Sequence, residues 1–149
     1  MRALIDTNVL LDTIFRREPF HIDSDRIFDM IHEEKIKGCI SVQSLKDIFY
    51  ICKKIDKNKN PFKVVEKLSF VFEVVDVIGQ DSVMALMSPM DDFEDGLLVF
   101  SARRNNIEAI ITRNGRDFHE ADIIVIDPKD IEKYFDFVET GESVIDNIF

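Results

Sequence analysis

Four aspartates lie where a folded chain could bring them together: Asp6, Asp47, Asp95 and Asp117. Asp6 directly follows the apolar run Arg2-Ala3-Leu4-Ile5, and Asp117 follows Ala109-Ile110-Ile111 by way of Thr112-Arg113-Asn114. Asp95 falls at helical spacing on one stripe with Leu98, Val99 and Ala102, the side that should face a core. Asp47 sits in an amphipathic segment with Leu45, Ile48, Phe49, Cys52 and Ile55. A core-facing acid needs a partner. Two carboxylates about 4 Å apart repel by roughly 4 kcal/mol at an effective dielectric near 20, so a converging set must hold either protons or a cation. Oxygen-only donors favour magnesium or manganese over zinc. A divalent ion held this way activates water and neutralises charge on a phosphoryl group, the chemistry of phosphodiester hydrolysis.

Each acid also has a plainer reading. Asp6, Thr7 and Asn8 are all good helix N-caps, Asp47 could be a solvated helix residue, and Asp91 and Asp92 could be first-turn acids favoured by the helix dipole. The remaining reactive residues organise no rival site. His21, His32 and His119 have no ligand spacing, and no serine or cysteine falls in a nucleophile motif. Cys39 and Cys52 match neither a zinc pair nor a redox motif and read as reduced, structural thiols. An aspartate-nucleophile phosphatase would also place Asp6 at the end of a first strand. That chemistry wants a second Asp two residues on as general acid, and Asn8 occupies the place.

The elements that must position these residues alternate. Strands are predicted at Arg2–Ile5, Cys39–Val42, Glu73–Ile78, Ala109–Ile111 and Ile123–Ile126. A helix follows Asp6 through Val9 to Phe15. A second, capped by Asp23 or Ser24, carries Ile27, Phe28, Ile31 and Ile36 and stops at Gly38. The third runs past Cys52 and breaks over Lys57–Asn60, and Pro61 suits the first turn of a fourth. Further helices are expected over Ser82–Met87, from Asp91 or Asp92 through Ala102, and from Pro128 to about Phe137. Strands alternating with helices make an α/β fold, a three-layer sandwich with a central parallel β-sheet. In such sheets ligands bind beyond the carboxyl ends of the strands, where Asp6, Thr112, Asn114 and Asp117 fall.

Composition sets the remaining bounds. A chain of 149 residues, 46% hydrophobic, with thirteen Phe and no Trp, suits one domain over residues 1–137, leaving 138–149 as a tail. That tail is acidic but keeps Val144, Ile145, Ile148 and Phe149, so it reads equally as a docking segment and as a loosely ordered terminus. No apolar run would span a bilayer and the N-terminus has no signal-peptide pattern, so a cytoplasmic protein with no membrane contact is expected. A net charge of −10 works against diffuse attraction to phosphates, so any nucleic acid must be held locally. Lys46, Lys53, Lys54, Lys57, Lys59, Lys63 and Lys67, against Asp47, Asp56 and Glu66, form either a phosphate rail or a solvated helical face.

The stretch LIDTNVLLD, the helix SVQSLKDIFYI and the segment DDFEDGLLVFSARRNNIEAIITRNGRDF, in that order, resemble a PIN domain, the fold of many bacterial VapC-type ribonucleases. The likeness spans Arg2 to about Ile126, and its last segment is the most specific part. It implies a Mg2+- or Mn2+-dependent endoribonuclease acting on RNA, with Asp6 as first metal ligand, Asp47 in the place of a second acid that is typically Glu, and Asp95 as third. Asp117, with Asn114 beside it, would complete the pocket. Which of those two approaches the ion more closely stays open. Asn8 and Thr112 would orient carboxylates or the scissile phosphate, and Arg113 and Arg116 would touch that phosphate. The resemblance also implies a toxin with an antitoxin partner, and a homodimer. Asp47 is a methylene shorter than the usual Glu, which keeps a second possibility in view: a catalytically weak or inactive module that binds RNA or protein.

Overall fold

The computed structural model describes residues 1–118 and 121–140. Strand β1 (Arg2–Ile5) leads into helix α1 (Thr7–Phe15) and α2 (His21–His32), and β2 (Lys37–Ser41) leads into α3 (Val42–Ile55) and α4 (Pro61–Val71). Strand β3 (Glu73–Val75) is followed by α5 (Gly79–Met87) and α6 (Phe93–Arg104). After β4 (Ala109–Ile111) come a 3-10 turn at Gly115–Phe118, β5 (Ile124–Ile126), a second 3-10 turn at Pro128–Asp130 and α7 (Ile131–Thr140). All four strand pairings are parallel, in the order β3-β2-β1-β4-β5.

Side chains alternate across this sheet and define its two covered faces. Ala3, Ile5, Ile40, Ala109 and Ile111 pack with Val9, Leu10, Ile27, Ile48, Leu68 and Ile131 from α1–α4 and α7. Leu4, Cys39 and Ile110 face the other way, onto Leu98, Val99 and Ala102 of α6 and onto Phe118. Burial on both faces explains why the inner strands β1, β2 and β4 read as unbroken apolar runs rather than alternating ones. Both thiols are free and buried, as expected. Among the described residues no helix is long and apolar enough to cross a membrane.

Several boundaries differ from the sequence prediction. Helix α2 starts at His21 after Phe20, with no side-chain cap, so Asp23 falls inside its first turn and neither Asp23 nor Ser24 caps it. Ile36 lies beyond that helix, and Gly38 does not stop it but sits in β2. A Cβ at position 38 would meet Ile31 Cδ1 at 2.6 Å and Phe72 Cδ1 at 2.8 Å, so that glycine makes room for the helix layer. Val42 belongs to α3 because the Ser41 hydroxyl caps it, accepting from Ser44 N at 3.0 Å. Strand β3 ends at Val75 and α5 begins three residues early, since the Asp81 carboxylate accepts from Ile78 N and pairs with Arg104. Ile123 precedes β5, Pro128 opens a 3-10 turn rather than the helix itself, and α7 runs on past Phe137 to Thr140. Of the tail expected over 138–149, residues 138–140 end α7, while 141–149, with His119, lie outside the described residues.

The predicted starts of two helices hold. Asn60 accepts from Phe62 N at 3.0 Å ahead of Pro61 in the first position of α4. Asp92, rather than Asp91, caps α6 through bonds from Glu94 N and Asp95 N at 2.8 and 3.1 Å. That cap fixes where Asp95 points, because it sets the first turn of the helix.

Candidate active site

The chain winds outward from β1 to β3, then returns across β1 to add β4 on the other side. Asp6 and Thr112 therefore leave neighbouring strands at the point where the winding reverses, the place where open α/β sheets form a crevice. Asp6 stands at the N-cap position of α1, yet its carboxylate makes no cap bond. Instead Oδ2 accepts from Thr112 Oγ1 and from Asn8 Nδ2, both at 2.7 Å. Asn8 Nδ2 also approaches Thr112 Oγ1 at 3.3 Å, and that hydroxyl accepts from Asn114 N at 3.0 Å. Asn8 and Thr112 thus orient a carboxylate, and the plain capping reading of Asp6 does not hold.

Asp6 is only 9% exposed, and burial pushes its carboxyl above the ordinary value. The bond from Thr112, the Thr7 backbone, the Arg113 charge and the bond from Asn8 oppose that rise. Asp95 has no such help. Burial first, then the charges of Asp92, Asp6, Asp117 and Glu94, raise its carboxyl from 3.8 to about 7. Asp6, Asp95 and Asp117 therefore share one electrostatic field.

Two adjoining hollows converge here, and both are lined by Asp6, Thr7, Glu94 and Asp95. One, about 350 Å3, continues past Asn8, Asn114 and Asp117 to Arg17. The other, about 420 Å3, continues along α3 past Gln43, Lys46, Asp47 and Tyr50. Its floor is a hydroxyl chain: Thr7 Oγ1 donates to Ser44 Oγ at 2.9 Å, and Ser44 and Ser41 Oγ are 3.0 Å apart.

The four predicted acids thus line one cleft, unequally. Asp47 is paired with Lys46 Nζ at 3.2 Å and is not among the charges that raise Asp95. Asn114 and Asp117 line the hollow together, joined by a bond from Asp117 N to Asn114 O at 3.0 Å. The two arginines expected at the phosphate are placed differently. Arg116 lines neither hollow. Arg113 grips Asp12, with Nε 2.5 Å from Oδ2 and a terminal nitrogen 3.2 Å from Oδ1, while its guanidinium lies 4.0 Å over the Phe20 ring.

Sequence reading missed three residues. Asp12 is fully buried in α1, and its signal was an acid inside the apolar run Val9–Phe15, the same signal that exposed Asp95. Arg17 brings a positive charge to the acidic hollow from the α1–α2 loop, where no periodicity marks it. Glu94 adds a further carboxylate to both hollows from the first turn of α6.

The donor set suits a hard divalent ion better than zinc. Among the described residues no three Asp, Glu, His or Cys side chains stand close enough together to hold a metal ion by themselves. Magnesium keeps several waters and takes one or two carboxylates plus substrate phosphate oxygens, which matches a partial set of acids in an open cleft.

Comparison with known proteins agrees with this architecture. The sequence matches the PIN domain over residues 2–116. No curated protein matches it. Solved structures share the fold at low identity. A toxin–antitoxin complex from Klebsiella pneumoniae has 22% identity and a TM-score of 0.63, covering 85% of this chain and 97% of that one. DNA-bound VapBC from Salmonella typhimurium has 23% identity and a TM-score of 0.61 over the same shares. FitAcB from Neisseria gonorrhoeae has 15% identity and a TM-score of 0.65, again covering 85% and 97%. With most of its length matched and the same sheet beneath its acids, the chain belongs to the PIN domain family.

Proposed function

We propose that this PIN domain is a divalent-metal-dependent endoribonuclease, hydrolysing phosphodiester bonds of RNA, and that it is the toxin of a toxin–antitoxin pair. The observation that carries the reading is the meeting of Asp6, Asp95 and Asp117 in one field at the sheet's winding reversal. Acids arranged this way destabilise one another unless a proton or a cation joins them. Mg2+ or Mn2+ would be held by Asp6, Asp95 and Asp117, directly or through its own waters, with Asp47 reaching it through water. A bound ion supplies Lewis-acid charge and activates water.

The chain's own residues do the rest. Thr112 and Asn8 fix the Asp6 carboxylate in one orientation, and Asn114 holds the Thr112 hydroxyl in place through its backbone. A carboxylate of the cleft accepts the proton that the attacking water loses. Arg17 and Lys46, at opposite ends of the cleft, offer charges to the flanking phosphates. The toxin assignment is supported by the structural relatives, one of them a toxin–antitoxin complex and another a DNA-bound VapBC. An antitoxin protein is the proposed partner, and a homodimer the proposed assembly, as is common in the family.

Asp47 favours a second reading, a weak or inactive module that binds RNA or protein, because its short carboxylate is already engaged by Lys46. RNA cleavage with Mg2+ or Mn2+, abolished by chelation and by Asp6→Asn or Asp95→Asn in folded protein, is the result expected for the nuclease. Cleavage retained in both variants would refute it, and metal-independent RNA binding without cleavage would favour the binding module.

A further inference from the structure

Helix α3 carries an aromatic feature that packing does not explain. Tyr50 is 62% exposed, yet it lines the same hollow as Asp6, Asp47 and Asp95. Its ring meets Phe49 edge-on at 5.8 Å, and Phe49 meets Phe62 of α4 edge-on at 4.9 Å. Lys46 precedes Tyr50 by one helical turn, Lys53 and Lys54 follow it by one, and all three are exposed. Ile51 adds an apolar wall beside the ring and Gln43 a side-chain amide further up the hollow. A cation, an exposed ring and two more cations along one helix suit a phosphodiester backbone with a base stacked between.

We propose that Tyr50 is a stacking platform for an unpaired nucleobase of the RNA, seated beside the acidic cleft, with Lys46, Lys53 and Lys54 following the phosphates. The proposal rests on the RNA reading above and sharpens it to unpaired strand. The faces of paired bases are hidden within a duplex, whereas single strands splay their bases onto aromatic side chains. Stacking also suits this cleft for an electrostatic reason. The chain is strongly acidic, so a neutral contact holds RNA where charge alone would repel it.

The test measures binding apart from cutting. An unstructured RNA oligomer, and the blunt duplex formed with its complement, are titrated by fluorescence anisotropy at fixed salt into Asp95→Asn protein, with and without a Tyr50 substitution. Tyr50→Ala is expected to weaken single-strand binding by roughly 5- to 150-fold, the range for loss of one stacked base, and to leave duplex binding unchanged. Tyr50→Phe, which keeps the ring, is expected to restore single-strand binding. Single-strand binding unaltered by Tyr50→Ala would overturn the proposal and leave this face to a protein partner. Equal losses on single strand and duplex would overturn it too. Cleavage by the unmodified protein is scored separately, so an absence of cutting counts against the nuclease reading while the stacking claim stands or falls on binding.

Discussion

Asp95→Asn should stabilise the metal-free protein at neutral pH, and the gain should vanish in acid. The Asp95 carboxyl is raised from 3.8 to about 7 in the fold, so the folded state binds its proton more tightly than the unfolded chain does. Stability is therefore fully present below about pH 4 and is lost progressively as pH rises to about 7. The shift sets a ceiling of about 4 kcal/mol. Asp95 is only partly buried and lines an open cleft where water screens its neighbours, so a penalty of about 1–2 kcal/mol is expected. Asparagine carries no charge and escapes it. For a chain of this size the gain corresponds to about 2–8 °C in Tm. Thermal melts of both proteins in chelator between pH 4.5 and 8.5 measure it. A variant that melts with or below the parent protein at pH 8, or whose gain is the same at pH 4.5, would refute the shared field of acids.

Other substitutions probe the surroundings. Asp12→Ala leaves Arg113 without its carboxylate and should cost about 3 kcal/mol, read from the urea midpoint; a change under about 0.5 kcal/mol would show that the pair does not brace α1 against the loop after β4. Asp47→Glu restores the missing methylene and should tighten Mn2+ binding on the order of tenfold in a thermal-shift titration, whereas an unchanged midpoint would place residue 47 outside the ion's reach. Gly96→Ala puts a Cβ 2.9 Å from the Ala85 Cβ and should destabilise the α5–α6 contact by about 1–3 kcal/mol; a Tm equal to the parent's would mean the helices part freely.

Asp6 and Asp95 were legible in the sequence for local reasons. A strand exit and a helix stripe are short-range patterns, and each placed an acid where an apolar residue or a plain cap belonged. The pairing of Arg113 with Asp12 was not legible because the two are 101 residues apart, and no local pattern records it. Arg17 escaped for the opposite reason, since a loop residue gains its meaning only when α1 and the turn after β4 converge. Strand runs were readable because both sheet faces are covered, while the early start of α5 depended on Arg104 neutralising Asp81 from another helix. Gly38 shows the limit of a composition rule: a glycine after a helix pattern reads as a stop, but here it admits Ile31 and Phe72 against a strand.

That Asp6 and Asp95 are two walls of one metal pocket is tested most directly by anomalous scattering from a manganese-soaked crystal. A single strong peak is expected between them, within bonding distance of both carboxylates, and lost in Asp95→Asn. A cleft with no peak at manganese concentrations that support RNA cleavage, or a peak away from both residues, would contradict the pocket.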